Sequence, residues 1–354
     1  MEEKIDELFD AMRADAVLLR TNELHIDPNF YYFAGISRLK QLSSFLVLRR
    51  GKKPLVITSP LEYGVLRQQK QISVVCYASE QQLAAQLRKA LRGTVGLNYA
   101  AYPLGAYRRL KKLLSRKSFV DVSKELEKVR ETKTTAEIRK LAGACAITEE
   151  ILAGVPGMYR SGMTEEQLAF ELNMRAMRDA EGISFPTIVA AGSNAAVPHH
   201  ITGNRKIGRG VLLVDFGVIN DGYCSDVTRC FAIGKPTERE MHVYNVVHRS
   251  QQAALALVRD GVAARDVFRA ANAILVKELK QSMLHSLGHG LGVLVHDVPH
   301  GLGESSAFTL RKDMCITAEP GYYKEFGVRI EDDVVVTKRG CRALSKAPKE
   351  LTRL

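Results

Sequence analysis

The 354-residue sequence has no stretch approaching the roughly 18 consecutive apolar residues that a membrane-crossing helix needs. Cysteine is sparse. Its six positions, Cys76, Cys145, Cys224, Cys230, Cys315 and Cys341, form no CxxC pair, so neither a thiolate zinc site nor a disulfide framework is indicated. The opening MEEKIDELFDAM is acidic and amphipathic, where a secretory signal starts basic and turns apolar. A reduced, cytoplasmic protein is therefore expected. Low-complexity tracts and short-period repeats are also missing, and 46% apolar with 25% charged residues is a globular balance that excludes wholesale disorder. At roughly 150 residues per domain, the length predicts two domains.

Acidic residues are scarce in the first third. The whole chain carries 51 Lys and Arg against 39 Asp and Glu, a net charge of +12; residues 1–124 hold 21 basic and only 11 acidic side chains, so most of the excess sits there. It is concentrated in Arg49-Arg50-Gly51-Lys52-Lys53 and in Arg108-Arg109, Lys111-Lys112 and Arg116-Lys117. Such runs can attract nucleic acid or an acidic partner. The preferred reading is a solvated hairpin turn and the wet face of a helix, with neither nucleic acid nor a membrane as partner.

Residues 1–124 alternate helical and strand patterns. Ile5, Leu8, Phe9 and Met12 make a helical stripe, residues 45–48 and 55–58 read as a hairpin, and helices over 81–92 and 104–114 flank a strand at 93–97. That alternation predicts an α/β domain. From Ser123 to Ala153 the pattern is one long helix, and the domain boundary is placed near 125 within it. A helix over 164–180 follows. Strands are then expected at 185–190 and 211–219, the latter turned by Asn220-Asp221-Gly222 into 223–233. Helices over 238–259 and 264–279 precede strand-like segments around His289, Glu319 and Glu331.

The acids in the apolar segments carry the chemistry. Asp215 interrupts Val211–Ile219, Glu319 sits in CITAEPGY, and Glu331 lies between VRI and DDVVV. A lone buried carboxylate costs several kcal/mol unless paired. An arginine partner would explain any one of them, but the set calls for a shared counter-charge, most simply a pair of divalent ions. Asp215 and Asp226 lie eleven apart across one hairpin, and Glu319 and Glu331 twelve apart across another, so two similar halves would deliver four carboxylates to one point. Four of the nine histidines, His285, His289, His296 and His300, fall in HSLGHGLGVLVHDVPH, where Gly288, Gly290 and Gly292 argue against a helix and for close backbone approach. One imidazole with four carboxylates is a hard donor set that suits Mn²⁺, Co²⁺ or Fe²⁺ better than a structural zinc. Two such ions can activate a water and clamp a developing oxyanion, which reads as a hydrolase.

The ordered motifs VDFGVINDGYCSDVTR, LGHGLGVLVHDVP, ITAEPGYY and GVRIEDDVVVT resemble those of the creatinase-like, or pita-bread, metallopeptidases, over residues 125–354. This group includes Xaa-Pro aminopeptidase, Xaa-Pro dipeptidase (prolidase) and methionine aminopeptidase. NFYYFAGI similarly resembles the creatinase-type amino-terminal domain. The resemblance implies an α+β pita-bread catalytic domain (125–354) with pseudo-two-fold halves, preceded by a smaller α/β domain (1–124). It implies two divalent ions, Mn²⁺ or Co²⁺ with Zn²⁺ or Fe²⁺ as alternatives, held by Asp215, Asp226, His289, Glu319 and Glu331. Asp226 and Glu331 would bridge, Asp215 would complete one position, and His289 with Glu319 the other. Glu319 would also move the proton from water to the leaving amine. His296 would contact the scissile carbonyl, and His199 would line the pocket; its spacing to Asp215 is one residue shorter than the family's, which leaves His200 as a substitute. His285 and Arg329 match positions that contact substrate or support the ligands.

The VRIEDD context and the extra amino-terminal domain argue against the methionine enzyme. A dipeptidase needs a cation for the substrate carboxylate. The segment 297–303 offers no arginine, which favours an Xaa-Pro aminopeptidase over a prolidase. The implied substrates are short peptides with proline second, and the implied assembly is a homodimer. A non-catalytic pita-bread binding protein using its basic first domain is the reading from a different class, and retention of all five ligands argues against it.

Overall fold

The computed structural model describes residues 1–37 and 42–354, and its contacts divide the chain after Arg130. In the first unit, strands β1 (Ala16–Thr21), β2 (Ser44–Leu48), β3 (Leu55–Thr58), β4 (Ser73–Cys76), β5 (Thr94–Leu97) and β6 (Ser118–Asp121) form one sheet in the order β4-β3-β2-β1-β5-β6. Only β2 runs against its neighbours. Leu83, Leu87 and Leu110 of the helices Glu80–Ala90 and Leu104–Leu113 pack on Ala16, Leu18, Val47, Ile57, Val95 and Leu97 of one sheet face. The outer face of the second helix leaves Arg108, Arg109, Lys111 and Lys112 in solvent, and the β2–β3 turn exposes Arg50, Lys52 and Lys53, with Arg50 paired to Asp10 at 2.6 Å. The basic runs thus lie on the solvated surfaces the sequence assigns to them. In NFYYFAGI, Asp27 caps the helix Pro28–Ala34 and Gly35, at φ 64°, closes it.

The helix expected over 123–153 is two helices, Ser123–Glu131 and Thr135–Ala153. A capping box starts the second: Thr134 accepts from Glu137 N while Glu137 accepts from Thr134 N. Lys133, between them, donates through its amide to Asp313 O and through its ammonium to Val298 O. The chain divides at this break, after Arg130, where the sequence reading places the boundary after residue 124.

The second unit is built on a repeated pattern. Its strands are β7 (Gly182–Ile183), β8 (Ile188–Ala191), β9 (Gly210–Phe216), β10 (Val218–Asn220), β11 (Tyr223–Cys224), β12 (Val227–Ile233), β13 (Cys315–Ala318), β14 (Gly321–Tyr323), β15 (Gly327–Arg329), β16 (Asp332–Val336), β17 (Cys341–Ala343) and β18 (Thr352–Arg353). The ladder β9–β12 encloses the hairpin β10–β11, and the ladder β13–β16 encloses the hairpin β14–β15. This is the pseudo-two-fold echo that the acid spacings suggest. Strand β9 is buried throughout because both faces are covered. Leu212, Val214 and Phe216 pack with Ala144, Leu152, Leu168 and Leu172 of the helices Thr135–Ala153 and Glu165–Asp179; Val211 and Leu213 pack with Val243, Val247 and Val267 of the helices Glu238–Leu257 and Ala264–Leu279. Among the described residues no helix is long and apolar enough to cross a membrane.

Candidate metal centre

Strand periodicity sets the direction of the first two acids. Asp215 shares the face of Val211 and Leu213, and Asp226, just before β12, shares that of Thr228 and Cys230. Glu319 follows β13 and Glu331 precedes β16, each one step beyond the register pair Ala318↔Asp332. Backbone bonds fix both ends: Glu319 N donates to Leu287 O at 2.7 Å and Glu331 N to Thr228 O at 3.2 Å. The buried Gln251 amide donates to Ala318 O and Ile330 O, the residues before each glutamate.

These acids converge. Ligand atoms of Asp215, Asp226 and Glu331 lie within 4.8 Å of one another, as do those of His289, Glu319 and Glu331. Glu331 belongs to both trios, and His289 Nε2 lies 3.5 Å from Asp226 Oδ2 and 3.4 Å from Glu319 Oε1. His289 Nδ1 sits 3.1 Å from Gly290 O; a carbonyl only accepts, so Nδ1 carries a proton and Nε2 is the ring nitrogen turned to the carboxylates. Asp215 Oδ1, Asp226 Oδ1 and Glu331 Oε1 are buried without a hydrogen-bond partner. Lone pairs aimed at lone pairs inside a protein are costly unless a cation lies between them, and the oriented imidazole is the usual support of a metal ligand. The donor set therefore fits divalent ions. Asp226, His289 and His296 form a third converging trio, but His296 is exposed.

Burial, compounded by Glu331 and Asp215, pushes the Asp226 carboxyl well above the usual carboxylate range; burial, Glu319 and Asp215 do the same for Glu331. Asp333, which accepts from Asp226 N at 2.9 Å and from the Cys145 thiol, is pushed up to about 8 by burial. These acids hold protons more tightly folded than unfolded. Metal-stripped protein is therefore expected to be stabler in mild acid and to lose that stability as pH rises from about 4 through about 8. Unfolding midpoints of chelated protein at pH 5.5 and 8 check this, and a midpoint that rises with pH contradicts it.

His289 does not lie in a strand. Segment 281–300 is irregular, held by Thr317 N to His289 O, Leu291 N to Cys315 O and Asp297 N to Gly290 O. A Cβ on Gly288 would overlap the Thr317 carbonyl, and one on Gly290 the Val298 carbonyl, so the glycines are there for the close backbone approach the sequence suggests.

A cavity of about 360 Å³ opens over the acids, lined also by Phe185, Ile188, Pro198, His199, His285, His296, His300 and Arg329. All nine residues singled out for the site (Asp215, Asp226, His289, Glu319, Glu331, His199, His285, His296 and Arg329) thus border one space. His200 does not: its Nε2 lies 2.8 Å from the fully buried Glu165 carboxylate. The His296 ring meets the His289 ring edge-on with centroids 4.2 Å apart, and burial with the neighbouring His289 lowers its pKa. Burial also lowers that of His285, whose Nδ1 faces Ser286 O at 2.7 Å, leaving Nε2 to accept from Tyr323 OH at 2.9 Å. Arg329 donates to Asp215 Oδ2, to Tyr323 OH at 3.0 Å and to Thr228 Oγ1 at 3.0 Å, and Thr228 in turn donates to Glu331 at 2.6 Å. Tyr323 and Thr228 escape the sequence reading although both stand inside the quoted motifs, ITAEPGYY and SDVTR.

Residues 139–338 match the model of metallopeptidase family M24, and residues 3–132 match the creatinase/prolidase N-terminal domain. The chain belongs to the M24 metallopeptidases, a family of hydrolases, with the pita-bread catalytic fold behind a creatinase-type domain. It is 32% identical to an Xaa-Pro dipeptidase of Pyrococcus horikoshii over 98% of this chain and 97% of that one. Among solved structures it resembles an X-Pro aminopeptidase from Thermotoga maritima (28% identity, TM-score 0.91, 99% of this chain and 100% of that one) and an Xaa-Pro dipeptidase from Bacillus anthracis (30%, TM-score 0.89, 99% of each).

Proposed function

We propose that this chain is a dinuclear metal-dependent exopeptidase that hydrolyses the bond before a proline in second position, with Xaa-Pro dipeptides as its preferred substrates. The observation that carries it is the convergence of His289 Nε2 with four carboxylates on the floor of one cavity. The dipeptide preference is supported by the name of the relative that matches this chain along nearly its whole length.

Asp215, Asp226 and Glu331 would hold one ion, and His289, Glu319 and Glu331 the other, with Asp226 shared. Two divalent ions, Mn²⁺ or Co²⁺ by the hardness of the donors, supply Lewis-acid activation of a water and neutralise developing negative charge. The Glu319 carboxylate accepts the proton from that water and returns it to the departing proline nitrogen. His296, kept neutral at pH 7 by its depressed pKa, donates an N–H to the scissile carbonyl oxygen. His199 stands at the exposed rim of the cavity, where it would contact the substrate backbone. Tyr323 donates to His285 and accepts from Arg329, so that Arg329 holds Asp215 while Tyr323 fixes the His285 ring against the cavity wall. A cytoplasmic location, supported by six free thiols, and a homodimeric assembly belong to the same reading.

A second reading, the aminopeptidase, is favoured by one feature. Arg329 is the only arginine or lysine bordering the cavity among the described residues, and four of its five N–H groups are engaged by Asp215, Tyr323, Thr228 and Pro198 O. A dipeptide carboxylate would have to be met by imidazole N–H groups, whereas a longer peptide carries no charge there. Hydrolysis of Ala-Pro, Ala-Pro-Ala and Ala-Ala-Ala by stripped protein reloaded with Mn²⁺, Co²⁺ or Zn²⁺ decides. Metal-dependent cleavage of Ala-Pro in preference to Ala-Pro-Ala is expected; cleavage of the tripeptide alone would make it an aminopeptidase, and silence on both proline peptides in metal-loaded protein would refute the proposal.

A further inference from the structure

The amino-terminal unit has a cavity of its own. It measures about 690 Å³ and opens at the carboxyl end of the parallel strands, bordered by Arg20 at the end of β1, Phe45 of β2, Tyr77 just after β4, and Tyr102 and Pro103 in the segment after β5. From β1 the chain steps outward to β4, then crosses back to lay β5 on the other side of β1. Crevices at such a reversal, outside the carboxyl ends of the strands, are where open α/β sheets take their ligands.

Arg20 is out of place by the logic of its strand. Ala16 and Leu18, four and two residues earlier on the same face, are core residues under the helices Glu80–Ala90 and Leu104–Leu113. Arg20 continues that face where the helices part, half-buried, with its guanidinium 5.9 Å from the ring centroid of its cross-strand partner Phe45. Among the described residues no carboxylate pairs with it; Glu80, on the same rim, is engaged by Arg109 at 2.9 Å. Arginines on the inner face of a sheet are normally paired. Around Arg20 the walls are aromatic and aliphatic (Phe45, Leu83, Leu110), and two phenols face the same space. Burial pushes Tyr102 up to about 12 and raises Tyr77, so both remain O–H donors at neutral pH.

We propose that this cavity is a binding site for a small organic anion, a carboxylate or phosphate monoester with an apolar or aromatic body, held by Arg20 with Tyr77 and Tyr102 as further donors. The anion meets the planar guanidinium fork and the phenols, and its body lies against Phe45 and the leucines. Nothing in the chemistry assigned to the metal centre requires this site.

Calorimetric titration of the metal-loaded full chain with benzoate, phenyl phosphate and neutral benzyl alcohol tests it. Because the metal centre can itself take an oxyanion, the site is identified by the heat that Arg20→Gln removes. At least one anion is expected to show such a component, weakened about tenfold or more in Arg20→Gln, partly kept in Arg20→Lys and weakened in Tyr102→Phe, with benzyl alcohol binding more weakly than either anion. Preference for phenyl phosphate would name phosphoryl compounds as the source, and preference for benzoate would name carboxylates. Benzyl alcohol binding as tightly as the anions, anion binding unchanged in both Arg20→Gln and Tyr102→Phe, or no anion binding beyond the metal centre would overturn the proposal. The comparison of anion with alcohol in the parent needs no variant to fold.

Discussion

Glu319→Gln should lower turnover of a proline dipeptide by about 10²–10⁴-fold while leaving the unfolding midpoint close to the parent's. Of Asp215, Asp226 and Glu319, Glu319 has the most exposed side chain, 15% against 10% and 7%, so it is the one a substrate can reach. Glutamine keeps the shape and the acceptor for Thr317 Oγ1, 3.4 Å away, but cannot take a proton from water. Because glutamine is also a poorer ligand, bound metal must be counted in the same preparation. A variant that holds both ions and still turns over within about tenfold of the parent would remove Glu319 from the proton-transfer role.

The second large effect lies outside the cavity. Arg229, in the motif SDVTR, is 3% exposed and donates to five acceptors: Pro348 O, Thr228 O, Glu331 O, Asp332 Oδ1 and Ala347 O, at 2.6–3.0 Å. It ties the carboxy-terminal segment to the backbone of two residues of the centre. Arg229→Leu strands those carbonyls and leaves the buried Asp332 carboxylate with Lys349 and the Ser345 hydroxyl, 3.2 Å from Oδ1. Breaking a buried pair in this way costs about 3–5 kcal/mol. Urea unfolding of the metal-loaded variant measures it; a loss under about 1 kcal/mol would mean that the segment 345–350 is held by other contacts.

The site was legible because its chemistry is incompatible with its surroundings. An aspartate inside Val211–Ile219 and glutamates beside ITA and VRI cannot be explained by packing, and the structure brings these residues and the histidines around one cavity. What failed to show was whatever depends on residues distant in sequence. Nothing local separates His199 from His200; Glu165, on a helix earlier in the chain, takes one and leaves the other at the cavity. The strand expected around His289 is replaced by irregular backbone because Gly288 and Gly290 lie against carbonyls of Thr317 and Val298, contacts with no sequence signature beyond the glycines themselves. The break between the helices Ser123–Glu131 and Thr135–Ala153 was readable in principle: Thr134 and Glu137 spell a capping box, hidden by the continuous apolar stripe from Leu126 to Ile147. In the first domain the hairpin, the helices over 81–92 and 104–114 and the basic surfaces were visible, since each is set by neighbours within a few residues; the short helices Pro28–Ala34 and Pro60–Leu66 and the edge strands β4 and β6 were not.

The Gln251 amide has a consequence for how the centre could be tuned. By bonding Ala318 O and Ile330 O it works as a crossbar between the two strand ends that carry Glu319 and Glu331, yet it touches neither carboxylate. The gap between those glutamates is thus gauged from a helix residue outside the candidate ligand set, and if the pair holds an ion, the size it can grip would be set there too. A shorter or longer side chain at that one position would re-gauge the gap without replacing any of the candidate ligands.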